Sequence, residues 1–133
     1  MSNFKTLIAE LEILITDSYE SGVSMEQAER LAGRFLTAQM LVSSELRKAD
    51  LSSRMRKTGL KAVRAATYLE QVEKNEKKPS DVLINSIVDT STDVIAEQHG
   101  LDESEVDRDE LERLYSIYQN AHIHFRTIAK GTM

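Results

Sequence analysis

Apolar residues recur along this chain at alternating spacings of three and four, and that period writes helices from end to end. Phe4, Leu7, Ile8, Leu11, Leu14 and Ile15 predict a first amphipathic helix, begun at Ser2 or Asn3 and ended near Tyr19. Glu20, Ser21 and Gly22 break it. Ser24 with Gln27 has the spacing of a capping box, and Val23 with Ala28 that of a hydrophobic staple. The helix that follows turns Ala28, Leu31, Ala32, Phe35, Leu36, Met40 and Val42 toward a core. It stops near Lys48 or runs on, with Asp50 a fair N-cap for the next helix.

That next helix continues to about Lys77, where Lys77-Lys78-Pro79-Ser80 marks a boundary: proline disfavours helix just before it, and Ser80 can cap a new one. Val82, Leu83, Ile84, Ile87 and Val88 form a short apolar face. Thr90, Ser91 and Thr92 interrupt it, and Asp93 to Gln98 add a turn or two closed by Gly100. A closing helix runs from about Asp102 to Lys130, with Leu111, Leu114, Tyr118, Ala121, Phe125 and Ile128 as a heptad seam. Gly131 supplies its stop. The expected fold is all-α, a single domain over 1–133 with four to six helices and a long C-terminal one.

Charge changes this picture more than composition does. The 133 residues carry a net charge of -5, which argues against tight nonspecific binding to nucleic acid. The charge is segregated, however. Between Arg47 and Arg64 the only acid is Asp50, whereas from Asp81 to Glu112 the only base is Arg108. At about 100° per residue, Arg54, Lys57, Lys61, Arg64 and Tyr68 fall on one stripe of the basic helix. Met55, Gly59, Ala62, Ala66 and Leu69 fall nearly opposite, as a face to bury. Cations ending in an aromatic ring suit a single nucleic-acid strand, with charge for phosphates and a flat face for a base. Arg47, Lys48 and Arg56 lie nearby and widen the patch. Any surface helix carries charge; one-sidedness sets this one apart.

Other chemistries find little support. The absence of cysteine removes disulfides, thiol nucleophiles and cysteine metal sites, and fits a reducing cytosol. His122 and His124 sit some 200° apart on a helix and cannot share a metal. His99 stands beside a helix-ending glycine, and the three histidines read as solvated or capping groups. No apolar run approaches a membrane span. A helical nucleotide pyrophosphohydrolase needs a Glu-x-x-Glu pair followed by Glu-x-x-Asp. Glu26 and Glu29 supply the first, nothing supplies the second, and Asp89, Asp93 and Glu97 offer only an interrupted substitute. No catalytic residue, metal or cofactor is expected.

Two stretches carry a resemblance. Leu60-Lys61-Ala62-Val63-Arg64-Ala65 with Tyr68 beyond, and Arg126-Thr127-Ile128-Ala129-Lys130-Gly131 at the end, resemble motifs of the UvsY-like phage recombination mediators. The order of helices is similar over most of the chain, but only about a dozen positions match as residues. Val63 is an insertion, Tyr68 stands alone, and the acidic segment from Asp102 to Glu112 has no counterpart in the pattern. The resemblance implies a homo-oligomeric accessory protein, in the cytoplasm of a host cell, that binds single-stranded DNA. It also implies a RecA-like recombinase and a single-strand-binding protein as partners, with Lys61 and Arg64 on the DNA. One stripe covers only about 20 Å, so useful affinity calls for several copies in a closed oligomer. The alternative is a helical assembly or adaptor protein (packaging, connector or inhibitor) whose basic helix meets an acidic segment.

Overall fold

Four helices are present in a computed structural model describing residues 2–75 and 80–131, with no strand among them. They are α1 (Ser2–Ser21), α2 (Met25–Lys74), α3 (Asp81–Thr90) and α4 (Thr92–Ala129). The all-α expectation and the long C-terminal helix are borne out. The boundary residues Lys77, Lys78 and Pro79 lie outside the described residues. Beyond them the Ser80 hydroxyl accepts from the Leu83 N–H at 3.2 Å and caps α3 as its residue type foretells.

The ends of the helices follow local chemistry closely. Gly22 has φ 72° and returns its N–H to the Ser18 carbonyl, ending α1 in a conformation that glycine adopts without penalty. The capping box is formed: the Ser24 N–H donates to Gln27 Oε1 at 3.0 Å, and the Gln27 N–H donates to Ser24 Oγ at 3.2 Å. Gly131, at φ 68°, closes α4 with its N–H on the Ile128 carbonyl.

Two boundaries differ from expectation. α2 runs unbroken for 50 residues through Asp50, so Asp50 is no cap. Nothing between Met25 and Lys74 stops a helix, because no proline occurs there and an isolated glycine costs only about 1 kcal/mol. α4 likewise begins at Thr92 and passes straight through Gly100. The missing Cβ is used for packing instead, since the Arg56 guanidinium lies where that carbon would stand. His99 therefore sits within a helix, paired with Glu103 at 3.0 Å.

The chain divides into two compact units, 1–45 with 111–133 and 46–110, and each has its own apolar cluster. In the first, Leu11 of α1 meets Ala28, Ala32, Phe35, Ala38 and Val42 of α2 and Tyr118 and Phe125 of α4. All six heptad positions of the closing helix belong to this cluster or pack against it. Phe35 stacks on Phe125, with ring centroids 5.6 Å apart. Leu36 and Met40, expected in the core, are exposed. The buried row runs through Ala28, Ala32, Phe35, Ala38 and Val42; Leu36 lies one residue off it and Met40 midway between Ala38 and Val42, turned outward.

In the second unit Ile84 and Val88 of α3 and Val94 of α4 are buried against Leu60, Val63, Tyr68 and Val72 of α2. Val82 and Leu83 do not join them and are exposed. A ten-residue helix with one buried side presents only the i, i+4 pair Ile84 and Val88 fully inward.

Candidate nucleic-acid interface

Along the second half of α2 the buried side is rotated away from the one the sequence suggests. Ser53 is buried and Leu60, Val63, Tyr68 and Val72 face the apolar cluster, while Met55 and Leu69, expected inside, are 66% and 58% exposed. Ala62 and Ala66 are exposed as well. The face read as core is an outer face. Part of the cationic stripe correspondingly turns toward α3 and α4.

The stripe thus splits. The Arg64 guanidinium reaches Asp89 Oδ1 of α3 at 2.7 Å, and the Tyr68 hydroxyl donates to Asp81 Oδ1 at 2.7 Å. Lys57 lies 3.9 Å from Glu105 of α4, and Arg56 packs over Gly100. Arg64, Lys57 and Tyr68 thus meet acids of the same chain, whereas Arg56 meets the glycine. The pairs are largely solvent-exposed, and each such pair is worth about 0–1 kcal/mol, so they neutralise charge more than they hold the unit together. The Tyr68 ring, partly buried, packs against the apolar cluster.

Three of the other candidates lie in line. Arg47, Arg54 and Lys61 are exposed, and no ion pair or hydrogen bond engages their side chains among the described residues. They stand seven residues apart, so successive ones are turned by only about 20° and rise about 10 Å along the helix. They form a straight row about 21 Å long on an unbroken helix. Lys48 is exposed beside its start. The signal for the row was the seven-residue spacing itself. The signal for the pairing acids Asp81, Asp89 and Glu105 was only their sign, since partners so distant in sequence are assigned by the packing.

Among the described residues no three acidic or histidine side chains come together as a metal would need. Glu26 pairs with Arg30 at 3.3 Å, one turn along its own exposed face. His122 is neither solvated nor a cap: its Nδ1 lies 2.8 Å from the Ala32 carbonyl oxygen, joining α4 to α2. His124 stacks on Tyr19 with ring centroids 6.2 Å apart. Among the described residues no helix is long and apolar enough to cross a membrane. Comparison with protein-family models, with curated proteins and with solved structures finds no match.

Proposed function

We propose that this chain is a non-enzymatic accessory protein that binds single-stranded DNA through the row Arg47, Arg54 and Lys61. The observation that carries the reading is the row itself: three exposed cations, in line, with no carboxylate of the described residues against them. Such a row reads phosphates and not bases, so binding is independent of sequence and falls with salt. A flexible strand can adjust its phosphates to a fixed spacing of about 10 Å, which a stiff duplex does less readily. The resemblance to the phage mediators extends this to loading a RecA-like recombinase onto strands held by a single-strand-binding protein. Arg64 and Lys57 then serve mainly to neutralise acids of α3 and α4, while the Tyr68 ring packs in the apolar cluster.

Fluorescence anisotropy of a labelled oligothymidine tests the reading. The triple variant R47E/R54E/K61E should lose binding while its helical circular dichroism stays that of the parent. A triple variant that binds as the parent does would reduce the row to a solvated face. A second reading, an assembly or adaptor protein, is favoured by one observation, the outward Leu51, Met55 and Leu69 of the same helix. Absence of any oligonucleotide binding at low salt would leave that reading standing.

A further inference from the structure

The outward face of α2 is patterned as a contact surface. Leu51, Met55, Gly59, Ala62, Ala66 and Leu69 fall within about 40° of one line along the helix. Leu51 and Met55 are 60% and 66% exposed, so this line is no part of the chain's own core. An open groove runs beside it, walled by Leu51, Met55, Gly59 and Glu97. The same line continues to Lys48 at one end and Glu73 at the other, both exposed, Lys48 also having a contact within its own chain.

We infer that this face is the seat of a second copy of the chain, packed antiparallel along α2. The pattern is self-complementary about a two-fold axis passing between Leu60 and Lys61. In that register Met55 of one copy faces Ala66 of the other, and Gly59 faces Ala62. Leu51 comes within one residue of Leu69, and Lys48 opposite Glu73. Met55 meets Ala66 and Leu51 packs by Leu69, and the alanines near the axis let the backbones approach, with Glu97 of each chain beside its own Gly59. The charges decide the direction. Antiparallel packing brings Lys48 of each copy to Glu73 of the other, whereas parallel packing in register stacks lysine on lysine and glutamate on glutamate. A contact from Lys48 to Glu73 extends about 38 Å along the helix.

The pairing has a consequence for the cationic row, which rests on the function proposed above. Arg47, Arg54 and Lys61 lie about 80–120° to one side of the contact line. A two-fold axis perpendicular to both helices keeps that side the same in each copy. The pair therefore presents both rows, six cations, on one face.

Sedimentation equilibrium without nucleic acid tests the pairing apart from DNA binding. The parent protein should give a dimer or a multiple of it at tens of micromolar, and M55E/A66E a species of half that mass with unchanged helicity. K48E should weaken assembly, and K48E/E73K should restore it, an outcome that a merely misfolded variant cannot produce. The chain has no cysteine, so L51C and L69C can be oxidised alone and mixed. Disulfide-linked dimers should form on mixing, and neither protein alone should form them. A monomeric parent, an M55E/A66E variant assembled like the parent, or self-linked L51C would each overturn the proposal. Should assembly hold while oligothymidine fails to bind, the pairing stands and the DNA reading falls.

Discussion

Replacing Arg54 and Arg64 one at a time by alanine separates a free cation from a paired one on the same helix. Arg54 is exposed and unengaged among the described residues, whereas Arg64 lies 2.7 Å from Asp89. Each phosphate contact to a single strand contributes about -0.7 to the slope of log K against log salt. Contacts from Arg47, Arg54 and Lys61 together give a slope of about -2, so raising salt from about 50 to 200 mM weakens binding roughly 18-fold. Arg54→Ala leaves two contacts, a slope of about -1.4 and a weakening of roughly 7-fold over the same range. Arg64→Ala should leave the slope at its parent value, because Asp89 and not a phosphate holds that charge. Anisotropy titrations of labelled oligothymidine at four or five salt concentrations measure all three slopes. Equal loss of slope for both variants would refute the division of the stripe. If two antiparallel copies engage one strand together, the parent slope instead approaches about -4.

The apolar cluster around Phe35 makes further predictions. Phe125→Ala removes a buried ring stacked on Phe35 and should cost about 3–5 kcal/mol, read as a melting temperature lowered by roughly 10 °C or more. His122→Ala loses one hydrogen bond to the Ala32 carbonyl and should cost about 0.5–1.5 kcal/mol in urea denaturation, well below the phenylalanine variant. Burial, with the Glu12 charge adding to it, raises the pKa of the Tyr118 phenol above its usual value near 10. The unfolded chain then gives up this proton first, so the contribution is complete below about pH 10 and is lost as pH rises through the folded pKa. Tyr118→Phe should lessen that alkaline loss. It should cost little stability at neutral pH, because the hydroxyl has no hydrogen-bond partner among the described residues.

What could be read from residue order divides along the same helix. Caps and stops were legible because they are local: Ser24 with Gln27, Gly22, Ser80 and Gly131 each act within a few residues of themselves. The closing seam was legible because Leu111 to Ile128 offers only one apolar side. The second half of α2 offers two. One side holds Met55, Gly59, Ala62, Ala66 and Leu69, and the other holds Leu60, Val63, Tyr68 and Val72 among Arg56, Lys57 and Arg64. Periodicity alone favours the cleaner side. The mixed side is the one that packs, because arginine and lysine can lay their stems over apolar surface and carry their charge to the edge. Asp81, Asp89 and Glu105 on α3 and α4 meet three of that side's polar groups there. The cleaner side would have left those acids facing methionine and alanine, with no countercharge within reach. Burial of Leu60, Val63, Tyr68 and Val72, with acids placed to meet the cations around them, therefore sets the register that hydrophobic period left open, and leaves an apolar seam and a row of unpaired cations on the outside of α2.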